Sequence, residues 1–190
     1  MIHAHTEWQP EPITSSELAA RLGVAPSSVT EMVKKLAEQG FVEHTPYRAV
    51  VLTEEGRAEA LRMTRRHRLL ETWLVRDFGY GWDEVHDEAE VLEHAVSDRL
   101  LDAIAARLGH PERDPHGDPI PAPDGRMPTV RGDLLDDLPA GTRGRVVRIS
   151  DRDPAVLRDL TASGVGLDAT VVAGELPAAS AQAVWVEPER

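Results

Sequence analysis

Val85-His86-Asp87-Glu88-Ala89-Glu90-Val91-Leu92-Glu93-His94 is the stretch from which the rest of the chain is read. Wound as an α-helix, it places His86, Glu90, Glu93 and His94 on one arc, because residues four, seven and eight apart share a face. Two imidazoles and two carboxylates then look the same way. Upstream, His67 and Glu71 repeat the four-residue spacing on what reads as a second helix. A lone His/Glu pair on a helix is most often part of a solvated face. Six nitrogen and oxygen donors on neighbouring helices exceed what surface ion pairing requires, and they point to a divalent-metal site.

Composition narrows the chemistry. The 190 residues contain no cysteine, so disulfides and thiolate metal sites are excluded and any metal must be held by His, Asp and Glu. Such ligands favour Mn²⁺ or Fe²⁺ over structural zinc. No apolar run is long enough to cross a bilayer, and Met1-Ile2-His3-Ala4-His5 has neither the basic stretch nor the apolar core of a signal peptide. A cytoplasmic protein is expected, with no membrane partner.

The formal net charge of −12 argues against generic nucleic-acid binding, but its distribution matters more. From Thr14 to Arg68 nine Lys/Arg face seven Asp/Glu, whereas the remainder carries twelve against twenty-six. Only the N-terminal third can meet phosphate comfortably. There, Thr14-Ser15-Ser16-Glu17 forms a capping box, Leu18, Ala19 and Leu22 make an apolar stripe, and Gly23 stops the helix. Pro26-Ser27-Ser28 opens a second helix with Val29, Met32, Val33 and Leu36 as its stripe, closing at Gly40. Phe41–His44 and Ala49–Leu52 read as short strands around a turn at Thr45–Arg48. Helix-turn-helix plus hairpin is a winged helix. Its second helix would enter the major groove, with Ser27, Ser28, Thr30 and Glu31 near base edges and phosphates, and Lys34, Lys35 and Arg48 on phosphates.

Leu61, Leu69, Leu70, Trp73 and Leu74 give the helix through His67 an apolar side, while Arg65, Arg66 and Arg68 read as a solvated or DNA-proximal face. Ser97-Asp98 starts a third helix with Leu100, Leu101, Ile104 and Leu108. These apolar residues exceed what a monomer needs. A homodimer follows, and with it two recognition helices for a palindromic double-stranded operator.

The run Arg66-His67-Arg68-Leu69-Leu70-Glu71, the string Val85 to Asp98, and Asp118-Pro119-Ile120-Pro121 after Pro115-His116-Gly117 together resemble the diphtheria-toxin-repressor family of metal-dependent transcriptional regulators. The resemblance implies an ancillary metal site at His67, Glu71 and His86, and a primary, regulatory one at Glu90, Glu93 and His94. Iron-responsive members carry Cys where this chain has Glu90, and manganese-responsive members carry Glu, so the likeness is to the manganese-responsive branch. A hard carboxylate there favours Mn²⁺, with Fe²⁺ the alternative and other divalent ions as substitutes. The implied role is repression of metal-uptake genes. Family members also begin with a helix supplying a further primary-site ligand, Asp or Met. This chain starts inside or after that helix, so either the start is truncated or His3, His5 or Glu7 compensates.

The Pro- and Asp-rich stretch from His110 to Pro139 reads as an extended connector, with His110 and His116 as plain linker residues. Short β-rich runs follow at Gly144–Ile149, Ala169–Ala173 and Ala183–Val186, with helical turns at Pro154–Leu160. They suggest a small barrel. In longer members of the resembled family this is an SH3-like domain able to lend a carboxylate to the ancillary site; Asp153 is the nearest match and Asp151 the second.

The expectation is a mostly α chain: a winged helix-turn-helix over 1–61, a helical metal-binding and dimerisation domain over 62–110, a linker over 111–139 and an SH3-like β-barrel over 140–190. Two rivals remain. A metalloenzyme is disfavoured because no His-Glu-x-x-His run is present. A winged-helix regulator answering a small organic ligand would leave the His/Glu set structural.

Overall fold

A computed structural model describes residues 1–8, 12–43 and 49–189. The chain forms two compact units, Met1–Met63 and Thr64–Arg190, with the boundary inside one long helix.

In the first unit, α1 (Ile2–Trp8) is followed by α2 (Ser15–Leu22) and α3 (Pro26–Glu38). The Thr14 side chain accepts from Glu17 N while the Glu17 carboxylate accepts from Thr14 N, so the capping box forms as its residue types require. Gly23 closes α2 at φ 64°, and Pro26 sits where its missing N–H costs nothing. Strands β1 (Val42–Glu43) and β2 (Val51–Leu52) pair antiparallel as the stem of the wing. Arg48, His44 and the turn between the strands lie outside the described residues. Ile13, Leu18, Ala19, Val29, Val33, Val42 and Val50 form the core. Thr53 fastens the next helix, α4 (Glu54–Trp73), donating to Gly40 O at 2.6 Å and accepting from Gly56 N at 3.0 Å. Gly56 is obligatory, because a Cβ there would lie 1.8 Å from Phe41 O.

The second unit takes the rest of α4, a π-turn over Leu74–Phe78, α5 (Val85–Glu93) and α6 (Asp98–Arg107), which Ser97 caps. Leu69, Leu70, Leu74, Val85, Ala89, Leu101, Ile104 and Ala105 pack together, joined by Ile120 from the connector. A four-stranded antiparallel sheet follows, in the order β3 (Asp133–Leu134), β6 (Val184–Pro188), β4 (Arg143–Ile149), β5 (Thr170–Val172). Helices α7 (Pro154–Ala162) and α8 (Ala178–Ala181) cover its core of Val146, Ile149, Leu157, Leu160, Val184 and Val186. No described helix is long and apolar enough to cross a membrane.

Two expectations fail here. The stretch after His110 is not a plain linker: Asp114, His116, Asp118 and Ile120 are all buried. Asp114 Oδ1 accepts from His116 N and Asp118 N, giving backbone groups that no helix or ladder serves a partner inside the turn. Gly117, at φ 88°, lies so close to β4 that a Cβ would stand 2.4 Å from Val147 O. The β domain also begins before residue 140, since Asp133–Leu134 pairs with β6.

Arg65, Arg66 and Arg68 of α4 are not a solvated face either. Arg66 donates to Glu93 O at 3.0 Å and also engages Val96 O and the Asp98 carboxylate, fixing the end of α5. Arg65 donates to Pro121 O and Arg68 to Pro119 O, each at 2.7 Å. Arg68 lies 3.7 Å from Asp114 and 3.9 Å from Asp118, and Arg148 of β4 pairs with Asp118 as well. Helix, connector and sheet thus share one buried ionic cluster. Helical periodicity sees only neighbours three and four residues away, so partners some thirty to fifty-six residues downstream escaped it.

Candidate metal centre

Helix α4 carries His67 and Glu71, four residues apart, and α5 carries His86 and Glu93, seven apart, as the helical spacings anticipated. Packing of the two helices brings the polar groups together. His67 Nε2 is 3.0 Å from Glu71 Oε1 and 3.1 Å from His86 Nδ1, and His86 Nδ1 is 3.4 Å from the same oxygen. Donors at right angles around an ion with bonds of about 2.1–2.4 Å, the span between Mg²⁺ and Ca²⁺, stand about 3.0–3.4 Å apart. The three atoms therefore have the spacing of one face of an octahedral shell.

Glu93 serves this face from behind. Its Oε2 lies 2.8 Å from His67 Nδ1, so that Nδ1–H donates to it and Nε2 is the nitrogen turned towards Glu71 and His86. Glu93 Oε1 is 3.4 Å from His94 Nε2. His94 and Glu90 are exposed on α5 and neither joins the His67, Glu71 and His86 triangle, of which only Glu71 is fully buried. Of the expected primary-site residues, the structure brings only Glu93 into contact with the expected ancillary set. In the first unit, His3 and His5 are buried, and His3 Nε2 lies 3.7 Å from Glu7 Oε1 on the same helix.

The charges of these groups depend on one another. Burial opposes charge on His67, but hydrogen bonds to Glu71 and Glu93 outweigh it and raise its pKa to about 10. The Glu71 hydrogen bond also raises His86, against burial and the neighbouring His67 charge. Glu71, only 1% exposed, would be pushed up by burial, yet the two imidazoles hold it below the usual carboxylate range. Without metal, the proton that His67 keeps supplies positive charge beside the buried Glu71 carboxylate.

Two residues complete the surroundings. Asp151, preceding α7, places Oδ2 3.8 Å from His86 Nδ1. Asp153, the first choice from sequence, is turned away to cap α7, accepting from Ala155 N at 2.9 Å. Pro154 at the first helical position was the signal for that role. His116 is fully buried, and one of its ring nitrogens lies within 4.8 Å of carboxylate oxygens of Glu71 and Asp151. Sequence reading set it aside as a linker residue. The hint was Asp114-Pro115-His116-Gly117-Asp118, a tight polar turn whose glycine marks close approach to another chain segment.

The residues expected to meet nucleic acid are on α3. Val29 and Val33 are buried while Ser27, Ser28, Thr30, Glu31, Lys34 and Lys35 are all exposed. Thr30 Oγ1 donates to Pro26 O at 3.0 Å, and Lys34 lies 3.9 Å from Glu38. An exposed second helix of a helix-turn-helix and a His/Glu cluster able to hold a divalent ion, on one chain, fit a metal-responsive winged-helix regulator.

Sequence profiles agree. Residues 1–50 match the iron dependent repressor N-terminal DNA binding domain, 53–122 its metal binding and dimerisation domain, and 134–178 the FeoA domain. The chain belongs to the diphtheria-toxin-repressor family of metal-dependent DNA-binding repressors, and is not an enzyme. A solved manganese-dependent transcriptional repressor in complex with manganese superposes with TM-score 0.91 at 47% identity, covering 99% of this chain and 96% of that one. The HTH-type transcriptional regulator MntR of Lysinibacillus sphaericus is 37% identical over 100 residues, 53% of this chain and 71% of that protein. The iron-dependent repressor IdeR of Mycobacterium tuberculosis is 33% identical over 139 residues, 70% of this chain but only 60% of that protein. The mostly α architecture with a small SH3-like β domain accords with these relatives.

Proposed function

We propose that this protein is a Mn²⁺-dependent repressor, active in the cytoplasm as a homodimer on palindromic operator DNA, that controls genes of metal-ion homeostasis. The observation that carries it is the donor face of His67, Glu71 and His86, built on the long helix whose first turn is capped against Gly40, just after the recognition helix. A divalent cation held by these residues would supply positive charge beside the buried Glu71 carboxylate. The residues do the rest. Glu93 orients His67, Arg66 holds the backbone of Glu93, and Asp151 brings in the segment before α7. Once loaded, α4 and α5 lose the option of sliding apart, and the population shifts to the DNA-competent arrangement.

Glu90 and His94, with Glu93, are assigned to a regulatory site on α5, and the carboxylate of Glu90 is the reason for preferring Mn²⁺ over Fe²⁺. Val91 is 69% exposed on α5 and Leu100 46% on α6, an apolar face for the partner subunit. Ser27, Ser28, Thr30 and Glu31 are assigned to the major groove, and Lys34, Lys35 and Arg48 to phosphates. In a dimer the two recognition helices would stand one DNA turn apart, roughly 34 Å. A coupling of about 1–3 kcal/mol makes operator affinity change about 5- to 150-fold with metal. Operator titration with and without Mn²⁺ tests this; equal affinity in both would refute the switch.

A further inference from the structure

The donors around Glu71 fall into two trios that share only that residue: His67, Glu71 and His86, and Glu71, His116 and Asp151. Within each trio the ligand atoms lie within 4.8 Å of one another, the span of a single ion's shell. The second trio has a feature that hydrogen bonding does not explain. His116 Nε2 lies 2.7 Å from Trp82 O, and since a carbonyl only accepts, that nitrogen carries the hydrogen. Nδ1 is therefore the nitrogen with its lone pair outward, and it is buried without a hydrogen-bond partner among the described residues. A fully buried acceptor left unsatisfied is a standing cost to the fold. The ring is held in that pose all the same, stacked on Trp82 with centroids 6.0 Å apart, and Trp82 is itself anchored by its Nε1–H to Thr161 Oγ1 at 2.7 Å.

Resting on the function proposed above, we infer that Glu71 bridges two metal ions, one held by His67 and His86 and a second, inner one held by His116 Nδ1 and Asp151. Glu71 has the capacity: Oε1 already faces both outer imidazoles, and a carboxylate offers two oxygens with about four lone-pair sites. Each trio supplies three protein donors, leaving coordination positions for water, as hard divalent ions of this kind prefer. The inner trio draws on three separate parts of the second unit: α4, the buried turn after His110 and the segment before α7. Loading it fastens the β domain to the helical domain, a task distinct from aligning α4 with α5.

Counting ions in single and double variants tests this independently of the regulatory site on α5. Equilibrium dialysis against Mn²⁺ is expected to show one ion fewer per chain in His86→Ala and one fewer in His116→Gln. The double variant should lose two, and Glu71→Gln should lose both. If single and double variants all lose the same one ion, the five side chains serve one ion and the inference is overturned while the proposed function stands. Electron paramagnetic resonance of the fully loaded wild type covers the case in which His116 variants do not fold. A spin-coupled manganese pair absent from Glu71→Gln supports the bridge, and uncoupled signals alone overturn it. A wild type that takes up no Mn²⁺ at all overturns both this inference and the regulator reading.

Discussion

Manganese uptake at His67 should expel a proton, and the size of the effect follows from the site. In the metal-free protein His67 keeps Nδ1–H on Glu93 and Nε2–H on Glu71, with a pKa near 10. An ion on Nε2 must displace that second proton. At pH 7.5 the group lies about 2.5 units below its pKa, which at about 1.36 kcal/mol per unit costs about 3.4 kcal/mol, a roughly 300-fold weaker apparent affinity than at full deprotonation. The side chain is 18% exposed, so solvent screening removes only part of this. Apparent affinity should rise about tenfold per pH unit between about pH 7 and 9 for each proton released. Titration calorimetry in buffers of different ionisation enthalpy counts the protons, and His67→Gln should lower the count by about one. An unchanged count in that variant, or an affinity flat across this range, would refute the assignment of His67 Nε2 as a ligand.

The same groups set the stability of the metal-free protein. The His67 pKa is raised on folding, so its contribution is complete below the unfolded value of about 6.5 and is lost as pH climbs through about 10. The Glu71 pKa is lowered, so its contribution is complete above about 4.5 and is lost on acidification. Thermal melts in chelator should therefore peak between these limits, and Mn²⁺ should remove the alkaline decline. Lys34→Ala and Lys35→Ala should each reduce the salt slope of operator binding by about one and weaken all sequences alike, read by fluorescence anisotropy at several ionic strengths. Gly56→Ala should destabilise the first unit by about 1–3 kcal/mol or more, because the new methyl meets Phe41 O. Its Mn²⁺ count should match the wild type, since the donors lie in the second unit.

The sequence by itself determined the local elements and their chemistry. The capping box at Thr14, Pro26 at a helix start, Ser97 before α6 and the spacings of His67/Glu71 and His86/Glu93 are all relations within a turn or two. Local rules of hydrogen bonding and periodicity therefore sufficed. The exposed face of α3 was legible for the same reason, since Val29 and Val33 alone define its buried side. Only the tertiary structure decided which distant groups meet. It turned Asp153 into a helix cap and left Asp151 to face His86. It made arginines of α4 into clamps for carbonyls and carboxylates tens of residues away, and it buried His116 behind Trp82. Those outcomes depend on how a proline-rich segment folds back between helices and sheet. Composition forbids that segment a helix, but does not forbid it a buried turn, closed on Asp114, beside the His/Glu cluster.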